Sequence, residues 1–456
     1  MSTIAAIGTS LGTSGINIIR ISGKDSLNII NKIFNSYDKI KPNEIHYGNI
    51  ICNKEIIDNV LVSYFKAPNS FTGEDVIEIN SHGGTYITKR ILDLVIESGA
   101  ELAEPGEFSK RAYLNGKMDL SEAEATIDLI NSKTAIEARI ASNQLNGKLR
   151  DGISDIRNEL INKLAHIDVN VDYPEYDYEE LTTENLKLFI TNINEKLKKL
   201  INSYEEGRII KNGVNVAILG RPNTGKSTLL NNLVGEERAI VTDIEGTTRD
   251  IISETINIGD VILNIFDTAG IRKSDDKIEQ IGIEKSYKIL DSVDLVLYII
   301  DPKNKFDDEE KNILSKIENK GLKIIYLINK SDLYKKTIFD TFLNEFDKNN
   351  EKEVLLISAK QNSGVEELKN KIKQMFLKDY LNNTDQNIIV NSRQKMLLEK
   401  SYNFLNKANG ELLNNVPIDM VSITIKESAK YLGQIIGLDI DTDIAKEIFS
   451  KFCIGK

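Results

Sequence analysis

The residues best suited to chemistry lie in the middle of the chain. Gly220-Arg221-Pro222-Asn223-Thr224-Gly225-Lys226-Ser227 fits the pattern G-x-x-x-x-G-K-[ST], after the strand-like VNVAIL and before the helix-like STLLNNLV. In such a loop the glycines let backbone N–H groups close on phosphate oxygens. Lys226 brings positive charge to them, and the Ser227 hydroxyl can ligate Mg²⁺. A plain glycine-rich turn would also fit this stretch alone, and the motifs that follow decide against it. Asp267-Thr268-Ala269-Gly270 ends the run VILNIF, which places Asp267 to hold Mg²⁺ through water and the Gly270 amide to meet a γ-phosphate. Asn329-Lys330-Ser331-Asp332 ends KIIYLI. An aspartate there accepts hydrogen bonds from both N1–H and the 2-amino group of guanine, a donor pair that adenine lacks. Ser358-Ala359-Lys360 ends the next run and supports the same base. Glu245-Gly246-Thr247-Thr248-Arg249 lies between the phosphate loop and Asp267, where a threonine must reach the Mg²⁺. The set predicts a GTP site.

Those motifs need strand ends to hold them. From residue 213, VNVAILG, VILNIFD, DLVLYIID, KIIYLINK and EVLLISA alternate with helical stretches, the pattern of a parallel α/β sheet. Residues 1 to 118 read differently. Strand-like runs at 4–8, 16–22, 59–65 and 75–80 and a helix over 85–100 predict an α+β domain. From 120 the period is helical for about fifty residues, with Ser121 and Glu124 as a capping-box start and Gly147 and Gly152 as candidate breaks. The acidic run DYPEYDYEE at 172–180 reads as a turn forced by Pro174. Helical sequence precedes the sheet unit and resumes after about 378. The predicted organisation is therefore an α/β multidomain chain: an α+β domain over 1–118, a helical domain over 119–212 and 379–456, and a Ras-like α/β domain over 213–378 inserted into it. Insertions of this kind succeed where chain ends lie close together.

Composition narrows the function classes. In 456 residues, 58 Lys and Arg against 69 Asp and Glu give a formal net charge of −11. A general nucleic-acid-coating role is excluded, because phosphate-backbone affinity scales with the cations presented, so any such contact must be local. Two cysteines and three histidines without ligand spacing predict neither a disulfide framework nor a zinc site. The chain starts without a signal-peptide pattern and carries no apolar run long enough for a membrane span, which predicts a cytoplasmic protein. Cys453-Ile454-Gly455-Lys456 makes a poor prenylation box, with Gly in an aliphatic slot and Lys at the end.

One position does not fit a Ras-like mechanism. The residue after the Asp267–Gly270 motif, where Ras-like enzymes carry a water-orienting glutamine, is Ile271. Another group must place the water, and another cation must neutralise the transition state. FTGEDVIEINSHGG (71–84), PGEFSKRAYLNGKMDLSEAEA (105–125), IVTDIEGTTRD (240–250), DTAGIRKSDDKIEQIGIEKS (267–286) and the terminal FCIGK resemble the tRNA-modification GTPases of the MnmE (TrmE) family over essentially the whole chain. The resemblance implies an answer. In that family K⁺ replaces the arginine finger as two G domains dimerise. The matching residues are Asn223, Thr242, Ile244 and Thr247, with Glu279 orienting the water and Ser227 and Thr248 on Mg²⁺. The nucleotide contacts that follow are Asn223, Thr224, Gly225, Lys226, Ser227, Thr228, Thr242, Asp243, Ile244, Glu245, Gly246, Thr247, Thr248, Asp267, Thr268, Ala269, Gly270, Asn329, Lys330, Asp332, Ser358, Ala359 and Lys360.

The same resemblance implies a folate-binding, dimerising N-terminal domain with contacts at Arg20, Glu78, Lys117 and Lys456. It also implies a 5-formyl- or methylene-tetrahydrofolate donor and an MnmG-like flavoprotein carrying FAD, in a heterotetramer acting on the wobble uridine of tRNA. Cys453 reads as a packed thiol rather than a catalytic one. TSLGTSG at 9–15, Thr224 and Ser81 depart from the family's usual residues, and none of them is a proposed metal or guanine-base contact. Two alternatives stand beside this reading. One is a ribosome-assembly GTPase of the Era/Der kind, for which Gly12-Thr13-Ser14-Gly15 resembles a KH loop without basic flanks. The other is a folate-dependent methyltransferase that happens to carry a G domain.

Overall fold

The computed structural model describes residues 1–36, 40–172, 182–236, 252–266, 290–304, 308–346, 352–382, 387–438, 447–450, 452 and 455. They form two compact units. One comprises Met1–Ile127, Ser142–Asn194 and Leu397–Lys456; the other comprises Asp128–Ala141 and Glu195–Met396.

In the first unit, strands β1 (Ile4–Ile7), β2 (Ile16–Ser22), β3 (Ile45–Cys52), β4 (Glu55–Phe65), β5 (Val76–His82) and β6 (Glu101–Leu102) make a sheet in the order β3-β4-β5-β2-β1-β6. Its neighbours are antiparallel except β1 with β6. The alternation in INIIRIS decides the faces. Ile19 and Ile21 are buried in a core shared with helices α1 (Ser26–Ile33) and α2 (Thr85–Glu97), which leaves Arg20 on the opposite face, and α3 (Glu107–Leu114) follows β6. Strand β3 was not foreseen in the sequence, because in IHYGNIIC a glycine and two polar residues interrupt the apolar run.

The helical stretch after residue 118 is not one element. It divides into α4 (Leu120–Asn131), α5 (Ala135–Leu145) and α6 (Lys148–Asp172). The break at Gly147 forms as expected, at φ +82°, whereas Gly152 sits inside α6. The predicted capping box is displaced by two residues, because Ser121 already lies within the helix. Asp119 Oδ1 accepts the Glu122 N–H at 2.9 Å, and Glu122 Oε2 accepts the Asp119 N–H at 2.8 Å. A second box, unforeseen, opens α5: Thr134 Oγ1 accepts the Glu137 N–H at 3.2 Å and Glu137 Oε2 accepts the Lys133 N–H at 2.7 Å. Two more helices, α7 (Thr183–Asn212) and, further along the chain, α13 (Ile418–Ile435), belong wholly or partly to this helical sequence. The turn expected at 172–180 falls almost entirely outside the described residues.

The second unit is built on β7 (Val214–Leu219), β8 (Ile252–Asn257), β9 (Ile262–Phe266), β10 (Leu295–Ile300), β11 (Lys323–Ile328) and β12 (Val354–Leu356), in the order β12-β11-β10-β7-β9-β8. Helices α8 (Lys226–Glu236), α9 (Asp308–Asn319), α10 (Lys336–Phe346) and α11 (Val365–Asn382) connect or follow the strands, and α12 (Ser392–Leu413) begins beyond them. Every residue of β10 is buried, as a central strand covered on both faces requires. The sheet is parallel except at its edge, where β8 runs antiparallel to β9. That edge strand was missed: ISETIN holds only two apolar residues, separated by three polar ones, and lacks the continuous apolar run of its neighbours.

Candidate functional site

The phosphate loop joins β7 to α8, and its two outer glycines occupy positions that no other residue could take. Gly220 has φ +141°, and a Cβ there would lie 2.3 Å from the Ile299 carbonyl oxygen. Gly225 has φ +109°, and its Cβ would lie 2.2 Å from Asn329 Nδ2. Lys226 Nζ donates to the Gly220 carbonyl at 2.7 Å and to the Arg221 carbonyl, so the ammonium sits inside the loop it serves. Ser227 and Thr228 are exposed in the first turn of α8, where orphan N–H groups favour an anion. Arg221 is held at the loop's rim by Glu310 at 2.7 Å, and Glu310 also accepts from the Tyr298 hydroxyl at 3.2 Å.

Three of the predicted motifs meet through one side chain. Asn329, 3% exposed, donates from Nδ2 to the Thr224 carbonyl at 2.7 Å and accepts the Ala359 N–H on Oδ1 at 2.9 Å. Thr224 Oγ1 donates to the Arg221 carbonyl at 2.8 Å, which closes the loop on itself. The buried Ser358 donates to Asp332 Oδ1 at 2.7 Å and accepts the Gln361 N–H at 3.2 Å, which fixes the carboxylate assigned to the base. Lys360 is exposed beside them, and Asn223 is exposed at φ +62° within the phosphate loop. Asp301, which the sequence reading overlooked, accepts from Lys330 Nζ at 2.7 Å directly behind this turn. Its signal was available: like Asp267 and Asn329, it is a polar residue closing an apolar strand. Thr242, Asp243, Ile244, Glu245, Gly246, Thr247, Thr248, Asp267, Thr268, Ala269, Gly270, Ile271 and Glu279 lie outside the described residues.

A second polar site occupies the first unit. Arg20 and Glu78 are direct partners in the register of β2 and β5. The guanidinium donates twice to Glu78 Oε1, at 2.9 and 2.7 Å, and once to the Gly455 carbonyl at 3.3 Å. The rings of Phe71 and Phe108 lie 5.7 and 5.8 Å from the guanidinium carbon. Lys117 is not drawn into this pair. It is exposed and donates to the Pro68 carbonyl at 3.1 Å, against the segment that presents Phe71. Behind that segment the buried Arg111 bridges Glu74 at 3.1 Å and Glu107 at 2.7 Å. Phe71, Phe108 and Arg111 all lie in stretches quoted for the resemblance, but aromatic side chains there gave no chemical signal of their own. Lys456 and Cys453 lie outside the described residues.

Comparison with known proteins decides the family. Residues 3–117 match the model described as the GTP-binding protein TrmE N-terminus, and residues 120–453 match the MnmE helical domain. Over its full length the chain is 46% identical to the tRNA modification GTPase MnmE of Acetivibrio thermocellus, covering 99% of that protein. The chain belongs to the MnmE family of tRNA modification GTPases. The MnmE proteins of Clostridioides difficile and Carboxydothermus hydrogenoformans are 44% and 42% identical, again over 100% of this chain and 99% of each relative. The matched residues take in the Ras-like sheet, the phosphate loop and the helical sequence on either side of them. Among the described residues no helix is long and apolar enough to cross a membrane.

Proposed function

We propose that this chain is a K⁺-dependent GTPase that works as a homodimer with an MnmG-like flavoprotein. Together they add an aminomethyl or carboxymethylaminomethyl group to C5 of the wobble uridine in certain tRNAs. The observation that carries the reading is the join made by Asn329, which ties the phosphate loop to the two base-recognition turns, in a chain 46% identical over its whole length to an MnmE. The proposed division is a folate and dimerisation domain over 1–118, a helical domain over 119–212 and 379–456, and an inserted G domain over 213–378.

The donor set fits GTP with Mg²⁺. Lys226 and the first turn of α8 would meet the phosphates, Ser227 and Thr248 would hold the metal, and Asp332, fixed by Ser358, would accept from guanine. Asn223, Thr242, Ile244 and Thr247 would hold K⁺. Mg²⁺ and K⁺, when bound, neutralise the charge that grows on the phosphates during transfer, and tetrahydrofolate supplies the one-carbon unit. Glu279 orients the attacking water in place of the glutamine that Ile271 cannot replace. The Arg20–Glu78 pair beside Phe71 and Phe108 fits a folate. A carboxylate suits pterin N–H donors, and the cations Lys117 and Lys456 suit the glutamate tail. GTP hydrolysis then drives the opening and closing of paired G domains that times the modification.

Turnover of GTP measured in KCl and in NaCl at equal ionic strength tests the cation: the rate is expected to be higher in K⁺, and equal rates would remove K⁺ from the account. Glu279→Ala is expected to abolish hydrolysis while GDP binding stays unchanged. Loss of both together would assign Glu279 to the fold instead.

A further inference from the structure

The Asn329–Asp332 turn carries an ion pair that nucleotide recognition, as described so far, does not use. Asp301 follows β10 and is only 7% exposed. Its Oδ2 accepts from Lys330 Nζ at 2.7 Å and from the Tyr334 hydroxyl at 3.4 Å, and its Oδ1 accepts the Lys303 N–H at 3.1 Å. Burial by itself would push this carboxyl up. The Lys330 hydrogen bond, the Lys303 N–H and the nearby ammonium outweigh it and hold Asp301 below the usual aspartate value. The same hydrogen bond raises Lys330 above the usual lysine value. Lys330 also has φ +69°, a conformation that a residue with a side chain holds only when its surroundings fix it. The Lys330 ammonium is thus already paired within the protein.

We propose that Asp301 is a positioning residue for the guanine pocket: by anchoring the Lys330 ammonium behind the turn, it lays the apolar stem of Lys330 alongside the base that Asp332 binds. The inference rests on the guanine-nucleotide reading above and adds a residue to it. The competing account is that Asp301 holds the turn through the Tyr334 hydroxyl and the Lys303 N–H, and that its effect on binding does not pass through Lys330.

Affinity for a fluorescent methylanthraniloyl GDP, measured on the full chain, separates the two. Asp301→Asn is expected to weaken binding about tenfold, as the loss of a charge-assisted hydrogen bond implies. In a Lys330→Met background, which keeps the stem but has no ammonium to anchor, Asp301→Asn is expected to weaken binding no further. Lys330→Arg, which keeps a cation for Asp301, is expected to bind more tightly than Lys330→Met, and this arm does not depend on how well the Asp301 variant folds. Additive losses in the cycle, or equal losses for Arg and Met at 330, would overturn the inference while leaving nucleotide binding in place. A wild-type chain that does not bind the probe would overturn the guanine-site reading, and the inference with it.

Discussion

Asn329 shows how a site can depend on a side chain that need not touch the ligand. Both ends of its amide are used inside the protein, one on the phosphate loop and one on the Ser358–Lys360 turn. Replacing it with Ala leaves a buried carbonyl and a buried N–H without partners, at about 1–3 kcal/mol for each unsatisfied group. Asn329→Ala is therefore expected to lower the melting temperature of the nucleotide-free protein and to abolish GDP binding. Unchanged melting would show that the turn holds without it. Glu137 offers a second test at this scale. Burial is the largest influence on its carboxyl and raises it above the usual glutamate value, although the Lys133 N–H and nearby cations pull the other way. A raised acid favours the folded state when protonated. Its contribution is complete below about pH 4.5 and is lost as the pH rises through the folded value. Glu137→Gln is expected to flatten the decline in melting temperature over that window; an unaltered pH profile would mean that Glu137 is not the group responsible.

At the scale of elements, the start of α4 is set by one carboxylate. Asp119 accepts the Glu122 N–H and also the Ser121 hydroxyl at 2.6 Å, so Asp119→Ala is expected to cost about 1 kcal/mol and lower thermal stability, whereas Ser121→Ala is expected to cost less. The reverse order would restore Ser121 as the cap. The mistaken cap has a plain cause: serine and aspartate two residues apart each had a glutamate three positions on, and sequence spacing cannot tell which one leaves the helical conformation. The strands that hold the nucleotide motifs were legible because each is an apolar run ending in a polar motif. Strand β8 was not, since an edge strand with one wet face has no such run. The Arg20–Glu78 pair is a middle case. Both residues could be named from the resemblance, but their contact depends on the register of β2 against β5, which no local pattern in either strand records. Asp301 could be named as a polar residue closing an apolar strand, but its partner could not, because Lys330 follows the next strand over.

For the whole molecule, a net charge of −11 and a tRNA substrate are compatible if the cations that meet RNA are few and local, or belong to the proposed flavoprotein partner. The two compact units suit such a division of labour, one carrying the Arg20–Glu78 site and the other the phosphate loop. The account requires both in one modification reaction. Mass spectrometry of nucleosides from tRNA tests this most directly, using cells that lack the gene and are complemented with either the wild-type chain or Lys226→Ala. The account predicts that the C5-modified wobble uridine disappears in the deletion, returns with the wild-type chain and stays absent with Lys226→Ala. Normal wobble uridines in the deletion strain would contradict it.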